Sequence, residues 1–331
     1  MRNFFRDKGL GILLSLAIAA TAYGIGKLIP VIGGPVIGIT LGILISSLFK
    51  LPEVTYKGTK FTSKFILQAA VILLGFEMNI NRVIQVGKQS ILVIFLTLTA
   101  AFLTAFLVGK RLRVHNKLAT LIGVGTAICG GSAIAAAAPA IEADDEDVSF
   151  AISTIFLFNI IAVFLFPFAG RLLHMSDTGF GMWAGTAIND TSSVVAASFS
   201  FSDAAGNFAT IVKLTRSLMI VPITLVLALI TAKNNKSTNN NFQFIKVFPW
   251  FVVGFLAAAI VNSLGWIPAT IAATLVQLGK FLIIMAMAAI GLNTNLRSLI
   301  KTGPKAILLG ASTWLAVMLV SLAAQLVIKI W

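Results

Sequence analysis

Residues Gly125-Thr126-Ala127-Ile128-Cys129-Gly130-Gly131-Ser132 interrupt an apolar run that is otherwise long enough to cross a membrane. A weaker echo, Gly185-Thr186-Ala187-Ile188-Asn189-Asp190-Thr191-Ser192-Ser193, follows 60 residues later. Lipid offers no hydrogen bonds to a freed N–H or C=O. Non-helical backbone at membrane depth therefore survives only where protein buries it or a polar cavity solvates it. Two such breaks in one chain point to a binding site inside the membrane.

The surrounding composition fixes the class. The 331 residues are 58% hydrophobic and only 11% charged, with a mean hydropathy of +0.98, far above a soluble domain. The expectation is an all-α polytopic membrane protein. A formal charge of +14 does not point to nucleic acid, because nearly all Lys and Arg fall in short loops between apolar runs, as the positive-inside rule requires. Cys129 is the only cysteine, so no intrachain disulfide forms. Residues 1–22 resemble a signal peptide, with Arg2, Arg6 and Lys8 ahead of an apolar run. That run continues towards Ile29, which favours a retained first span.

A span needs about 20 apolar residues. Eleven are expected, near 9–29, 31–49, 64–80, 89–109, 118–141, 148–168, 179–200, 208–232, 247–264, 268–291 and 305–328, counting both broken ones. With the N-terminus inside, Lys50, Lys57 and Lys60 share one cytoplasmic loop and Lys110, Arg111, Arg113 and Lys117 another. Lys233, Lys236, Lys246, Arg297, Lys301 and Lys305 fall in two more, leaving Lys27, Arg82, Lys88 and Lys329 outside. Trp250, Trp266 and Trp331 lie near span ends, where amphipathic rings anchor at the headgroups. The polar stretch 234–241 reads as a flexible cytoplasmic linker.

An internal repeat organises these spans. Residues 31–103 align without a gap on 247–319, a constant shift of 216, with 18 identities in 73 positions. The matches include Gly38/Gly254, Pro52/Pro268, Lys64/Lys280, Phe65/Phe281, Gly75/Gly291, Asn79/Asn295 and Gly87/Gly303. By the charge rule the third span runs outward and its partner, the tenth, inward, so the repeats are read as inverted. Many secondary transporters use that arrangement to place a site at the midplane. The broken segments 118–141 and 179–200 fit such symmetry if each is a re-entrant hairpin, the first dipping in from the cytoplasm and the second from outside. Broken helices that cross the bilayer are the other reading.

At the first break Gly125, Gly130 and Gly131 let backbone approach a ligand, Thr126 and Ser132 offer hydroxyls, and Cys129 lies between them. Half-helix N-termini there present N–H groups and a positive dipole end to an anion. The alternative is tight packing of small residues, the reading we adopt for Ala133 to Ala138. At the second break Thr186, Asn189, Thr191 and Ser192 surround Asp190. An ionisable side chain inside an apolar span costs about 2.5–3.5 kcal/mol or more and by default marks a pathway or proton relay. Lys213 and Arg216, three apart on one helix face, are the expected partners. They form either a structural pair with Asp190 or a switch that releases them to hold an anion when Asp190 takes up a proton. Glu77, Asn79, Asn81, Asn293 and Asn295 fall at span ends and read as caps. Asn159 lies within the sixth span, His115 and His174 in or beside loops, and the acidic run 142–147 on a solvated face. Nothing matches a nucleotide-binding loop, a catalytic triad or a metal motif, so neither an enzyme nor a cofactor is expected.

Residues 125–136, Trp183-Ala184-Gly185-Thr186-Ala187-Ile188-Asn189-Asp190-Thr191 and Ala286-Met287-Ala288-Ala289-Ile290-Gly291-Leu292-Asn293-Thr294-Asn295-Leu296 together resemble a bacterial family of conserved membrane proteins to which sulfate export is ascribed. That family is grouped with the cation/proton antiporter and anion transporter superfamily. The resemblance covers nearly the whole chain. It implies an inverted-repeat core, two discontinuous elements, elevator-type movement and, as a habit of the superfamily, a homodimer. Many members carry His-Asp where this chain has Asn189-Asp190: the aspartate is kept and the histidine is not.

The expectation is a single transmembrane transporter domain over 1–331 in the bacterial cell membrane. It would move a small anion, with sulfate or a sulfonate first, by alternating access coupled to protons through Asp190. A cation/proton antiporter is one alternative, with Lys213 as a structural counter-charge. A channel or membrane receptor without coupled flux is another.

Overall fold

The computed structural model describes residues 2–28, 33–49, 51–234, 248–294 and 303–331. Lys50, Lys236, Lys246, Asn295, Arg297, Lys301 and most of the polar stretch 234–241 lie outside the described residues. Every described element is helical, and seven apolar helical stretches are long enough to cross a membrane, residues 203–231 counting as one of them. In chain order they begin α1 (Arg2–Leu28), α2 (Gly34–Leu48), α3 (Glu53–Glu77) and α4 (Ile80–Leu112). There follow α5 (Asn116–Ala127), α6 (Gly131–Ala140), α7 (Asp145–Leu172), α8 (Asp177–Ala187) and α9 (Thr191–Phe201). The last are α10 (Asp203–Ser217), α11 (Ile220–Asn234), α12 (Trp250–Ser263), α13 (Ala269–Asn293) and α14 (Pro304–Ile328).

Three boundaries differ from the hydropathy reading, each for a local reason. Helix α3 starts at Glu53, directly after Pro52, rather than near 64, so Lys57 and Lys60 ride on its first turns and not in a loop. A helix can extend past the hydrocarbon, where charged side chains are solvated. Helix α4 starts at Ile80 because Asn79 caps it, its Oδ1 accepting the Asn81 N–H at 2.9 Å. The span expected over 208–232 is divided at Leu218–Met219, where the Met219 N–H turns back to the Arg216 carbonyl. Pro222 supplies no N–H to continue the ladder across that point.

Both broken segments fold back on themselves as helical hairpins. Lys117, at the start of α5, donates to the carbonyl of Glu142, just past the end of α6. His115 Nδ1 lies 2.7 Å from Asp147 Oδ2 in the first turn of α7. The two ends of the first segment are therefore side by side, and the acidic run sits at the basic end of the molecule. In the second segment Ser202 Oγ donates to Asp177 Oδ1 at 2.5 Å, and the Phe180 and Phe201 rings stack 4.0 Å apart. With 10 to 12 residues per arm, each arm rises about 15–18 Å, half of a hydrocarbon core of about 30 Å. Residues 128–130 and 188–190 are the two tips.

The helices pack in two groups. One holds α1, α2, α3, α12 and α13; the other holds α4 to α11 and α14, with both hairpins. They meet mainly where α9 lies on α2 and α13 and where α12 touches α4. Within the first group α3 and α13 run antiparallel: Thr59 near the start of α3 donates to Asn293 Oδ1 at the end of α13 at 2.6 Å. Glu77, at the far end of α3, lies 3.9 Å from Lys280.

Glycines set the closest approaches. Gly291 of α13 packs on the Ile39 carbonyl and, at 2.9 Å from a built Cβ, on the Gly42 Cα of α2. A Cβ built on Gly75 of α3 would lie 2.5 Å from the Phe255 carbonyl oxygen and 2.8 Å from the Ala258 Cβ, both on α12. The offset of 216 that aligns the sequences converts Gly75, Ile39 and Gly42 into Gly291, Phe255 and Ala258, so equivalent residues make equivalent crossings.

Candidate functional site

The two hairpin tips meet at Lys213 and Arg216 of α10. Both side chains are wholly buried. The Lys213 ammonium donates to the Ile128 carbonyl at 2.8 Å and to the Ile188 carbonyl at 2.9 Å, one on each tip. Arg216 donates from Nε to the Ala127 carbonyl at 2.5 Å, from a terminal nitrogen to the Thr126 carbonyl, and from the other to Ile188 at 3.4 Å. The Trp314 indole of α14 adds a bond to the Ala187 carbonyl at 3.1 Å. A helix that ends inside a protein leaves its last carbonyls without partners and its negative dipole end uncompensated. Here the ends of α5 and α8 are answered by two cations and an indole.

The opposite ends, the N-termini of α6 and α9, differ from each other. Asp190 caps α9: its carboxylate accepts the Ser192 N–H at 2.9 Å and the Ser192 hydroxyl. Its own N–H donates to Asn159 Oδ1 of α7 at 3.2 Å. Among the described residues Asp190 makes no ion pair with Lys213 or Arg216, so the expected partnership is replaced by capping. Helix α6 has no side-chain cap, because its cap position is Gly130, held at φ 69° and ψ −132°. A Cβ built on Gly130 would lie 3.5 Å from that of Asp190. The two N-termini therefore converge.

Burial divides the expected residues. Gly125, Thr126, Gly130, Thr186 and Asn189 are buried, as are Cys129 and Ser192; Gly131, Asp190 and Thr191 are partly exposed and Ser132 is exposed. Thr186 is used structurally, its hydroxyl 2.7 Å from that of Ser321 on α14. Thr126 Oγ1 and both polar atoms of the Asn189 side chain are buried without a hydrogen-bond partner.

Two features escaped the sequence reading. In the sequence Asn159 is only a polar residue in an apolar span, a signal that it has a polar partner but not that the partner is the Asp190 N–H. Lys280 stands out in the sequence only as a repeat match; it pairs with Asp203 at 2.9 Å, a contact between α13 and α10 that spacing does not reveal. Among the described residues it is the one ion pair that joins the two packing groups.

The family described as Conserved hypothetical protein 698 matches residues 10–310. A UPF0324 membrane protein of Streptococcus pyogenes serotype M6 is 51% identical over 97% of both chains. Others from Streptococcus agalactiae serotype V and Clostridium tetani are 46% and 43% identical over 99% and 98% of both chains. No solved structure matches. With a match over nearly its full length, this multi-pass protein of the bacterial cell membrane belongs to the UPF0324 family described by that model.

Proposed function

We propose that the protein is a secondary transporter of a small anion, working by alternating access with its site at the two hairpin tips. The observation that carries this reading is the meeting of the tips on Lys213, with the uncapped N-terminus of α6 beside Asp190. Two buried cations against one carboxylate leave a surplus of positive charge. The free N–H groups at the start of α6 add a positive dipole end, which suits an anion. Lys213 and Arg216 act first as caps that hold the tips together, and attract the anion through their charge.

Movement has support in the packing. The hairpin group and the group of α1, α2, α3, α12 and α13 touch over few helices, so one can shift against the other. The glycine crossings related by the 216 offset and the antiparallel run of α3 and α13 favour inverted repeats, which give inward- and outward-open states of similar energy. Asp190, partly exposed and without an ion-pair partner among the described residues, is the group placed to carry the coupling proton. The same feature favours a second reading, cation/proton antiport, with the carboxylate as ion ligand.

Liposomes that hold a pH-sensitive dye separate these readings. They are challenged with sulfate, sulfite, taurine, small carboxylates, Na⁺ and K⁺, wild type beside Asp190→Asn. An anion-dependent pH change lost in the variant supports the proposal, a response to cations alone transfers it to antiport, and silence with tracer anions also immobile refutes coupled transport.

A further inference from the structure

Helices α2 and α7 belong to different packing groups and scarcely touch, while both rest on α9. Between them lies a cavity of about 800 Å³, lined by Val36, Thr40 and Leu41 of α2 and by Val163, Phe164 and Phe168 of α7. Its inner residues are buried, whereas Phe168 and Leu172 on its rim are 69% and 68% exposed. The cavity is thus a groove that opens sideways, on the face a bilayer covers. The Thr40 hydroxyl donates to the Val36 carbonyl of its own helix at 2.7 Å, which leaves the wall apolar. A small inorganic ion finds no partner on such a wall; a hydrocarbon chain does.

Depth and charge narrow the occupant. Arg171 follows Val163 by eight positions on α7, about 12 Å of helix and nearly half of a hydrocarbon core of about 30 Å. The groove therefore has the reach of a chain from one leaflet. At its end it is lined by two basic side chains, Arg171 and His174, and no aspartate or glutamate lines it. Arg171 is held in place there, donating to the Ser200 carbonyl at 2.7 Å and lying 5.8 Å from the centre of the Phe201 ring. Its guanidinium stays charged, and the His174 ring carries at least one N–H. By the positive-inside rule this end, remote from the basic loops, is the outer one.

We propose that this groove holds one glycerophospholipid of the outer leaflet, with an acyl chain between α2 and α7 and its phosphate at Arg171 and His174, and that it prefers an anionic headgroup. Basic groups beside transmembrane helices select anionic lipid by the same attraction. The lipid bridges the seam between the two packing groups, since α2 lies on one side of it and α7 on the other. The site is separate from the hairpin tips and does not rest on the transport reading.

The test is native mass spectrometry of the full chain in detergent, incubated with phosphatidylglycerol and phosphatidylcholine of matched acyl chains. The proteins are wild type, Thr40→Trp and Arg171→Gln. Wild type is expected to retain phosphatidylglycerol about fivefold more than phosphatidylcholine, the discrimination that one basic group near an anionic headgroup supplies. Thr40→Trp, which fills the groove, should lose both lipids. Arg171→Gln should keep phosphatidylcholine and bring the ratio towards one. In parallel, a benzophenone amino acid replaces the exposed Phe168 and is photolysed in vesicles that contain the two lipids in equal amount. Its adduct is expected to carry the mass of one phosphatidylglycerol by a similar margin. Equal retention of the two lipids by wild type, retention unchanged in Thr40→Trp, or an adduct of twice the chain mass, meaning that a second copy covers the groove, overturns the proposal. The wild-type ratio and the photo-adduct stand whether or not a variant folds, and neither measures transport.

Discussion

The Lys213 ammonium sits 2.9 Å from the Ile188 carbonyl oxygen while it also holds Ile128 of the other hairpin. One side chain thus fastens two tips that enter from opposite ends of the molecule. Lys213→Met removes both charge-assisted bonds, each about 1.5–3 kcal/mol, and also removes the cost of burying the charge. The expected net loss is about 1–3 kcal/mol of stability, read as a lower unfolding midpoint in detergent, together with loss of transport. A variant as stable as wild type would show that the tips are held by other contacts.

Because Asp177 and Ser202 touch at 2.5 Å, cysteines at both positions should form a disulfide on mild oxidation, in a chain with Cys129→Ser as background. The ends of a helix that crossed the bilayer would be about 30 Å apart, far outside disulfide reach. The measurement is protection of the pair from a thiol-reactive mass tag. Full labelling after oxidation would refute the hairpin.

Much of the fold was legible because hydropathy, charge and repetition are local or periodic signals. They point to apolar helices throughout, seven of which are long enough to cross a membrane, and the matched Gly75 and Gly291 do mark equivalent crossings. Charge barely separates hairpin from crossing helix and only the repeat symmetry leans to the hairpin, since Asp177 meets Ser202 only through folding. At the site the breaks and their ionisable residues stood out by composition. Their connections did not: a Lys or Arg in an apolar span reads the same whether it faces a carboxylate, as expected for Asp190, or backbone carbonyls, as found. The grouping of α9 with α10 rather than with α2 is likewise a matter of packing that no spacing encodes.

Adjacent glycines in the first tip should respond in opposite ways. Gly130 has φ 69°, a region where a side chain costs about 1–3 kcal/mol, although a built Cβ would meet Asp190 only in ordinary contact at 3.5 Å. Gly131 has nothing within 4 Å of a built Cβ and opens a helix, where alanine is favoured by a few tenths to about 1 kcal/mol. Gly130→Ala should lower the unfolding midpoint and impair transport, and Gly131→Ala should leave or raise it. Equal sensitivity at both positions would mean that the tip does not have this backbone.

Asp190 combines a cap and a charge, and two substitutions separate them. Asparagine is as good a helix cap as aspartate, whereas alanine loses about 1 kcal/mol at such a position. Asp190→Asn keeps an oxygen for the Ser192 N–H and should unfold close to wild type; Asp190→Ala should unfold earlier. If the carboxylate carries the coupling proton, both variants abolish substrate-dependent pH change in liposomes, although only one is destabilised. If its work is capping alone, activity should follow stability, with Asp190→Asn active and Asp190→Ala impaired. Parallel measurement of unfolding midpoint and proton flux on the two variants decides between a residue that shapes the site and one that also runs it.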